Sequence, residues 1–169
     1  MQFIDSLQLR MKVSTILVAL IVVLSEMHSS NAFSTHIDPD IFATGDCGKS
    51  HFTASPTGRL SHNFYDKVGN IMLHVDYRVN WGGNTNTLYL NTYKGDWGAP
   101  QLVTGIASTP GTVVELLVCA RANDFSITFN KKQVATYNYR IPGAVVTRFE
   151  YQNNGYDSTV MELCIVYSS

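Results

Sequence analysis

Short runs rich in Val, Ile, Tyr, Phe and Thr, separated by clusters of Gly, Asn, Asp and Pro, follow one another from residue 59 to residue 169. None of these runs repeats its apolar residues with the period of a helix. In the run 125–129, Phe, Ile and Phe alternate with Ser and Thr. Because successive side chains of a strand point to opposite faces of a sheet, the pattern predicts an all-β sandwich of two antiparallel sheets.

The predicted strands place one domain over residues 59–169. The run 159–167 has apolar residues on both faces, which predicts a strand buried inside a sheet rather than one at its edge. Residues 33–58 are less regular and contain two prolines, so we expect a lead-in there with at most one or two short strands. The predicted strands are 59–64, 70–78, 87–93, 101–103, 113–120, 124–129, 133–138, 145–151 and 159–167.

Residues 1–32 have the composition of a signal peptide. Arg10 and Lys12 precede the apolar stretch 13–24, and a small-residue cleavage site ends at Ala32. The apolar stretch is too short to span a bilayer and fits the h-region of a secretion signal. The sequence therefore predicts a secreted, extracellular product with no membrane span in the mature chain. A membrane anchor is the alternative.

The charge of the chain argues against one class of partner. The formal net charge is −1, with 12 basic and 13 acidic residues. Proteins that bind the phosphate backbone of nucleic acids present a concentrated basic face, and this sequence contains no basic cluster. We therefore expect no nucleic-acid partner.

Three cysteines, Cys47, Cys119 and Cys164, lack the spacing of a zinc site. In an oxidising compartment an odd number leaves one free thiol or one intermolecular bridge. Cys119 and Cys164 lie in apolar runs, where a buried free Cys is common. A bridge between Cys47 and Cys164 is favoured, because it would tie the N-terminal segment to the last strand.

Polar residues recur at every second position of one predicted strand, where His74, Asp76 and Arg78 share a face. Asn91 lies on the next predicted strand, and Trp97 follows after a short loop. Sugar hydroxyls are bound by donors and acceptors, and the apolar face of a sugar ring packs on an aromatic side chain. These five residues therefore predict a carbohydrate-binding site.

Each of these residues also has a structural explanation. A lone strand histidine often serves packing, and an Asp–Arg pair two residues apart is often a surface ion pair worth about 0–1 kcal/mol. Trp97 would alternatively close one end of the sandwich. Trp81, in a Gly-rich loop, would either extend the site or be an exposed turn residue. Glu115 and Glu162, inside apolar runs, are predicted to face solvent.

Five short motifs resemble those of the galectin family, in the same order and at close to the same spacing. The resemblance covers residues 60–167. It implies the galectin fold, a jelly-roll, concanavalin-like sandwich of two antiparallel sheets with a sugar-binding groove on one concave face. The motifs are 73–78, similar to LHFNPR, then Asn91, Trp97-Gly98, 125–130, similar to FxVxVNG, and 137–142, similar to FxHRxP.

The resemblance implies roles for the site residues. In that family the His, Asn and Arg of the first motif hold the axial hydroxyl of galactose, the strand Asn holds the exocyclic hydroxyl, and the Trp stacks on the sugar. These roles carry over onto His74, Asp76, Arg78, Asn91 and Trp97.

Two departures from the family pattern fall in the site, one among the galactose contacts and one at the second sugar. Asp76 replaces the family Asn and exchanges a donor for a charge. After the Trp–Gly pair the family has a Glu and an Arg, which bind the second sugar and each other, and neither is present here. Gln101 is the candidate to supply a hydrogen bond in their place. The second-sugar subsite is therefore expected to differ from the family pattern.

No catalytic motif accompanies the site. The chain lacks GxSxG, HExxH and P-loop motifs, and Asp76 and Asp96 do not form the facing pair that a sandwich glycosidase needs.

We therefore expect a secreted lectin rather than an enzyme. It would bind galactose-containing or related glycans or glycoproteins without a metal or other cofactor. A homodimer is the candidate assembly, because useful avidity needs more than one site. The alternative is a galectin-like sandwich that has lost sugar binding and acts as a protein-interaction module.

Overall fold

In a computed structural model the protein is described over residues 33–38, 42–155 and 160–168. These residues form twelve strands and no helix, so the predicted all-β class is confirmed. The strands are β1 (Phe33–Ile37), β2 (Cys47–Thr53), β3 (Gly58–Asp66), β4 (Ile71–Val79), β5 (Thr87–Lys94), β6 (Asp96–Trp97), β7 (Gln101–Val103), β8 (Val113–Ala120), β9 (Asp124–Phe129), β10 (Lys132–Asn138), β11 (Val146–Asn153) and β12 (Val160–Val166).

The predicted signal segment, residues 1–32, lies outside the described residues. Within the described part of the chain, no helix has the length and apolar character that crossing a membrane requires.

The strands form two antiparallel sheets packed face to face, as the sequence predicted. Strand order in the seven-stranded first sheet is β1-β11-β3-β4-β5-β6, with β7 also paired to β5. Strand order in the five-stranded second sheet is β10-β9-β8-β2-β12. Every run proposed from the sequence is a strand, with ends displaced by at most two residues. Their period of two was informative because each strand buries one face in the core.

Two strands lie in the segment that the sequence marked as a lead-in. β1 ends the first sheet, and β2 lies between β8 and β12 in the second. The pattern of β2 is weak because Phe52 is its one large apolar residue. Its Gly48 leaves room for the Phe64 ring, since a Cβ there would lie 2.8 Å from that ring. The residues of β2 thus form an inner strand of the sandwich.

The prediction that the last strand is flanked on both sides is wrong, because β12 is the end strand of the second sheet. Leu163 and Ile165 are buried in the core. Cys164 is also buried, and its thiol lies beside Glu162, whose carboxylate forms a salt bridge with Lys49 on β2. This salt bridge, rather than a further strand, therefore lies beside the apolar residues of β12.

Glu115 and Glu162 are half-buried and bind one histidine from opposite sides. His51 Nδ1 lies 2.5 Å from Glu162 Oε2, and His51 Nε2 lies 3.1 Å from Glu115 Oε2. Burial opposes ionisation of Glu162, but hydrogen bonds from His51 and Lys49 lower its pKa below the ordinary value. Both lie on the outer face of the second sheet, as expected, where they also join β8 and β12 through β2.

The disulfide joins Cys47 and Cys119, which are register partners on β2 and β8 with their Cα atoms 3.9 Å apart. The expected bridge between Cys47 and Cys164 is therefore wrong. Cys164 is opposite Lys49 in the register of β12 and β2, so it does not face Cys47. It is a buried free thiol, and burial together with Glu162 raises its pKa to about 11.

The inner faces of the two sheets meet in one hydrophobic core, which also contains a histidine. His62 of β3 hydrogen-bonds Ser50 Oγ of the opposite sheet (2.7 Å) and stacks on Phe149. Burial, with the charge of His74 as a second cause, lowers the pKa of His62 to about 3. His62 is therefore neutral at neutral pH and links the two sheets.

Candidate functional site

The face of the first sheet that points away from the core carries the polar half of each strand. The register places Arg59 opposite Arg78 and His74 opposite Asn91. Side chains opposite one another on the same face of a sheet are close neighbours. They form a groove of about 370 Å³. The lining residues are Arg59, His74, Arg78, Tyr89, Asn91, Trp97, Gly98 and Pro100.

Trp97 supplies an aromatic surface at one end of the groove. β6 is two residues long and pairs Trp97 with Tyr93 of β5. The Trp97 ring lies 5.2 Å from that of Tyr93 and 4.9 Å from that of His74, between ring centroids, and Trp97 is 51% exposed. It does not close the end of the sandwich. Its free face is available to pack on the apolar face of a sugar ring.

His74 is held by a relay of hydrogen bonds across three strands. Its Nδ1 lies 2.6 Å from Asn63 Oδ1, and Asn63 Nδ2 donates to Glu150 Oε1 (3.3 Å). Because Glu150 only accepts when it is ionised, Asn63 must present its oxygen to His74, which places the proton of a neutral His74 on Nδ1. His74 Nε2 is then the acceptor that remains for a ligand hydroxyl.

Asp76 is fully buried beneath the groove and is not among the residues that line it. Arg78 Nε donates to its Oδ2 (2.8 Å), and Arg59 Nε lies 3.3 Å from its Oδ1. Burial raises the pKa of the Asp76 carboxyl. His74, whose Nε2 lies 3.9 Å away, and the guanidinium groups of Arg59 and Arg78 lower it by a larger amount. The pKa of Asp76 is therefore below the ordinary value. Asp76 is therefore an ionised carboxylate that holds two arginines.

Arg78 and Arg59 are fixed by aromatic rings as well as by Asp76. The Arg78 guanidinium lies 4.1 Å from the ring centroid of Tyr89 and 5.5 Å from that of Trp81. The Arg59 guanidinium lies 4.9 Å from the centroid of Trp81. Trp81 is 38% exposed, so it is both a contact of the groove and a surface residue.

Asn91 holds the segment that carries Trp97. Its Nδ2 donates to the Gly98 carbonyl (2.8 Å), and its Oδ1 accepts from the Thr92 amide (2.8 Å). Arg140 supports the same segment, because its guanidinium donates to the Ala99 carbonyl (2.5 Å). Asn91 lies in the groove as predicted, and it also positions the backbone beside the tryptophan.

The structure does not bring Gln101 into the groove. Gln101 is paired with Leu90, whose side chain is buried in the core, so both point to the inner face of the sheet. Its Nε2 donates to the Thr136 carbonyl of β10 in the other sheet (3.1 Å). The residue proposed to replace the second-sugar contacts therefore links the two sheets.

Sequence analysis missed Arg59, Tyr89, Asn63 and Glu150 as members of the site. Arg59 and Asn63 lie at alternate positions of β3, on the face opposite its core residues, so their shared face was predictable from the sequence. The sequence did not predict that this face lies beside β4, because that depends on which strands are neighbours in the sheet. Glu150 lies on β11, far along the chain. Its place in the site follows only from the register of β11 with β3.

The groove combines an acceptor, donors and an aromatic plate. His74 Nε2 accepts, the guanidinium groups of Arg59 and Arg78 donate, and Trp97 offers an apolar surface, which suits a hydroxylated ring. Within the described ranges, no group of three or more potential metal ligands is placed to hold an ion.

Comparisons with known sequences point in one direction. The family model described as "Galactoside-binding lectin" matches residues 42–155. "Galectin b" of Aplysina lactuca is 38% identical over 140 residues, which are 78% of this chain and 96% of that protein. "Galactose-binding lectin" of Chondrilla caribensis is 34% identical over 116 residues, 64% of this chain and 82% of that protein.

Solved structures with the same fold include a tetrameric galectin from Cinachyrella sp., a ball sponge. It superimposes with a TM-score of 0.70 at 27% identity and covers 79% of this chain and 99% of its own. A toad ovary galectin in complex with thio-digalactose has a TM-score of 0.65 at 16% identity and covers 79% of this chain and 96% of its own. The second likeness concerns the fold alone.

Proposed function

This chain belongs to the galectin family, and from that premise we propose that it binds galactose-containing glycans in the groove between Trp97 and Arg78. The family consists of carbohydrate-binding lectins that are not enzymes, which agrees with the sequence-based prediction of a lectin without catalytic activity. The proposal concerns the ligand, a galactoside, and its binding site, this groove.

The observation that carries the proposal is the exposed Trp97 indole beside His74. His74 is oriented by Asn63 so that Nε2 remains as an acceptor, 3.9 Å from an Asp76 oxygen. A galactoside placed with its apolar face on Trp97 would present hydroxyl groups to His74 and to the Arg78 guanidinium. Such contacts replace water at a modest net gain, so we expect weak binding by a single site.

The test is a lactose titration by calorimetry, accompanied by a glycan array, on the wild-type protein and on Trp97→Ala. We expect lactose binding that Trp97→Ala weakens by about 30-fold or more, because the aromatic contact contributes about 2 kcal/mol. Trp81→Ala is the matched control, since it removes the other indole and should leave lactose within about threefold.

The absence of binding by folded wild-type protein to every glycan of the array would contradict the proposal. It would favour the second candidate, a galectin-like sandwich that has lost sugar binding and serves as a protein-interaction module. The departures that favour this candidate are Asp76 in place of Asn and the uncharged segment after Trp97.

We also propose that the protein is secreted, with residues 1–32 removed as a signal peptide. The Cys47–Cys119 disulfide supports this location, because such bonds persist in oxidising compartments. N-terminal sequencing of protein from the culture medium tests the proposal: a start at Phe33 supports it, and retention of residues 1–32 in a cell-associated form contradicts it.

Assembly into a homodimer or higher oligomer completes the proposal, since weak sites need multivalency for useful avidity. Relatives in fold include a tetrameric galectin and a homodimeric agglutinin from chicken liver. Sedimentation of the purified chain at several concentrations tests this, and a monomer at all concentrations would contradict it.

A further inference from the structure

His74 lies between two hydrogen-bond acceptors that compete for one proton. Its Nδ1 is 2.6 Å from Asn63 Oδ1, and its Nε2 is 3.9 Å from Asp76 Oδ2. A neutral imidazole carries a single N–H, so it donates to one neighbour and presents a lone pair to the other. The position of this proton therefore decides whether Nε2 accepts a hydrogen bond from a ligand hydroxyl.

The carboxylate of Asp76 favours the arrangement that would not bind a sugar. Asp76 is buried, and Arg78 Nε occupies only one of the lone pairs on its Oδ2. Hydrogen bonds to an ionised acceptor are roughly twice as strong as those between neutral groups. With its proton on Nε2, His74 would donate toward Asp76 and offer no acceptor to the groove. An amide, the family residue at position 76, carries no charge that attracts this proton.

Asn63 opposes Asp76 only while its amide oxygen points at His74. An amide presents either its oxygen or its NH2 group to a neighbour, and a half turn of the group exchanges the two. If the NH2 group faced His74 Nδ1, that nitrogen would have to accept, and the proton would lie on Nε2 beside Asp76. The orientation of the Asn63 amide thus selects the tautomer of His74.

Glu150 fixes that orientation from the neighbouring strand. Glu150, Asn63 and His74 are successive register partners across β11, β3 and β4. Asn63 Nδ2 donates to Glu150 Oε1 at 3.3 Å. An ionised carboxylate has no proton to donate, so it accepts from the NH2 group and repels the amide oxygen. The oxygen of Asn63 is therefore left for His74.

Two further donors hold the Glu150 carboxylate in place. Tyr65 Oη donates to the same Oε1 at 3.2 Å, and the side-chain amide of Gln152 donates to it as well. Burial, followed by the charge of Glu150, raises the pKa of Tyr65 to about 12, so the phenol keeps the proton that it donates. Glu150 is half-buried and does not line the groove. Its route to a ligand in the groove is through Asn63 and His74.

We propose that Glu150 is a positioning residue, which holds the Asn63 amide so that the proton of His74 stays on Nδ1 against the attraction of Asp76. The inference rests on the proposed function for its effect on lactose affinity, because the lone pair on Nε2 serves a bound galactoside. The tautomer itself is a property of the free protein.

The test combines lactose calorimetry with long-range proton–nitrogen-15 correlation spectra of the imidazole rings, which show which nitrogen carries the proton. The spectra are recorded without ligand at about pH 8.5, about two units above the ordinary pKa of an imidazole. The signals that His74→Gln removes identify His74. In wild type we expect the proton on Nδ1.

Glu150→Lys replaces an acceptor with a group that only donates. The lysine would attract the Asn63 oxygen and leave the NH2 group for His74. We therefore expect the proton on Nε2 and a loss of about tenfold in lactose affinity. Glu150→Gln, whose amide both donates and accepts, should give a mixture of the two tautomers and a loss of about two- to fourfold.

His36→Lys is the matched control, because His36 is the register partner of Glu150 on β1 and is half-exposed. It adds a lysine to the same row of side chains outside the relay, so the tautomer should not change and lactose affinity should stay within about twofold. Adding Asn63→Asp to Glu150→Lys is the rescue. A carboxylate at position 63 accepts from the lysine and from His74 at once, which should return the proton to Nδ1 and restore affinity to within about threefold of wild type.

Two results would overturn the inference: a wild-type His74 with its proton on Nε2, or a folded Glu150→Lys protein that keeps the proton on Nδ1. Circular dichroism verifies folding. If Glu150→Lys does not fold, the Glu150→Gln spectrum decides, and the Nδ1 tautomer alone would overturn the inference. Failure of wild type to bind lactose overturns the proposed function, while the imidazole spectra, which need no ligand, still decide whether Glu150 positions the proton.

Discussion

The two ends of the groove differ in their residues and in the interactions that hold them. At the Trp97 end, His74, Asn91 and Trp97 are the residue types expected of the family, and each lies where the sequence placed it. At the other end Asp76 departs from the family pattern, and Arg59, which lies beside it, packs against Trp81. At the first end Asn63 and Asn91 hold His74 and the Trp97 segment through hydrogen bonds, and at the second a buried carboxylate holds two guanidiniums.

The contrast teaches how one substitution changes the role of a position. An amide at position 76 would offer a donor and an acceptor to a ligand, whereas the Asp76 carboxylate has its Oδ2 engaged by Arg78 and is fully buried. A buried charge is tolerated only when opposite charges surround it. Asp76 therefore acts by positioning Arg78 and Arg59, whose side chains line the groove at this end.

The largest expected effect comes from Asp76→Asn, which restores the family residue and yet should damage the protein. It leaves two facing guanidiniums without their carboxylate, so we expect a loss of about 3 kcal/mol in the free energy of unfolding. Urea unfolding measures it. Asp96→Asn, an exposed carboxylate next to Trp97, is the matched control and should change stability by less than about 0.5 kcal/mol.

A double variant sharpens this prediction. In Asp76→Asn with Arg59→Met, the second guanidinium no longer opposes the first, so we expect the combined loss to be smaller than the sum by about 1–2 kcal/mol. Strict additivity would contradict the view that Asp76 serves to balance the two arginines. An Asp76→Asn protein as stable as wild type would contradict it too.

As pH falls, stability is expected to change first through His62 in the core and only later through Asp76 at the groove. The pKa of His62 is about 3 in the folded protein against an ordinary value of 6.5, so the unfolded chain binds a proton first as pH falls. Stability is then lost from about pH 6.5 downward, by about 2 kcal/mol from this group between about pH 6.5 and about pH 5. His62→Gln should reduce the loss seen by urea unfolding.

Asp76 titrates in the same order but at lower pH, because its folded pKa also lies below the ordinary value. Its contribution is present above the unfolded pKa of about 4 and is lost only as pH falls through the lower, folded pKa. Asp76 therefore makes no contribution to the change in stability above about pH 5. An equal loss of stability in wild type and His62→Gln over that window would contradict the assignment to His62.

A smaller effect is expected where the Trp97 segment is anchored. Arg140→Met removes the hydrogen bond to the Ala99 carbonyl, so the backbone that carries the indole is held less firmly. We expect lactose affinity to fall by about three- to fivefold, equivalent to about 1 kcal/mol, measured by calorimetry. Unchanged affinity would show that Asn91 and the strand pairing of β6 suffice to position Trp97.

The smallest effect is expected at Gln101. Its amide donates to a carbonyl of the opposite sheet and lies outside the groove. Gln101→Ala should leave lactose affinity within about twofold and lower stability by about 1 kcal/mol. A tenfold loss of affinity with unchanged stability would return Gln101 to the binding site and contradict the placement described above.

Local pattern sufficed for most of the fold and for part of the site. The strands from β3 to β5 and from β8 to β11 were predictable because each places apolar residues over a buried face, and β12 because its run is apolar on both faces. β2 was not readable, since its position between β8 and β12 depends on the Cys47–Cys119 pairing and on the room that Gly48 leaves for Phe64.

Within the site, the same limit separates what was predicted from what was missed. His74, Asp76 and Arg78 lie on one strand, so period two alone placed them on one face. Arg59 and Glu150 reach the site through register with other strands, and register is set by long-range packing. Gln101 was assigned to the groove by its nearness in sequence to Trp97, but the pleat of β7 turns it inward.

A single-tryptophan titration tests the central claim, that a galactoside packs on Trp97. The chain has two tryptophans, so Trp81→Phe leaves Trp97 as the sole indole and keeps an aromatic ring over the arginines. We predict a saturable change in the fluorescence of this variant on addition of lactose, and none on addition of sucrose. A folded variant whose fluorescence does not respond to lactose, while calorimetry records lactose binding, would contradict the claim.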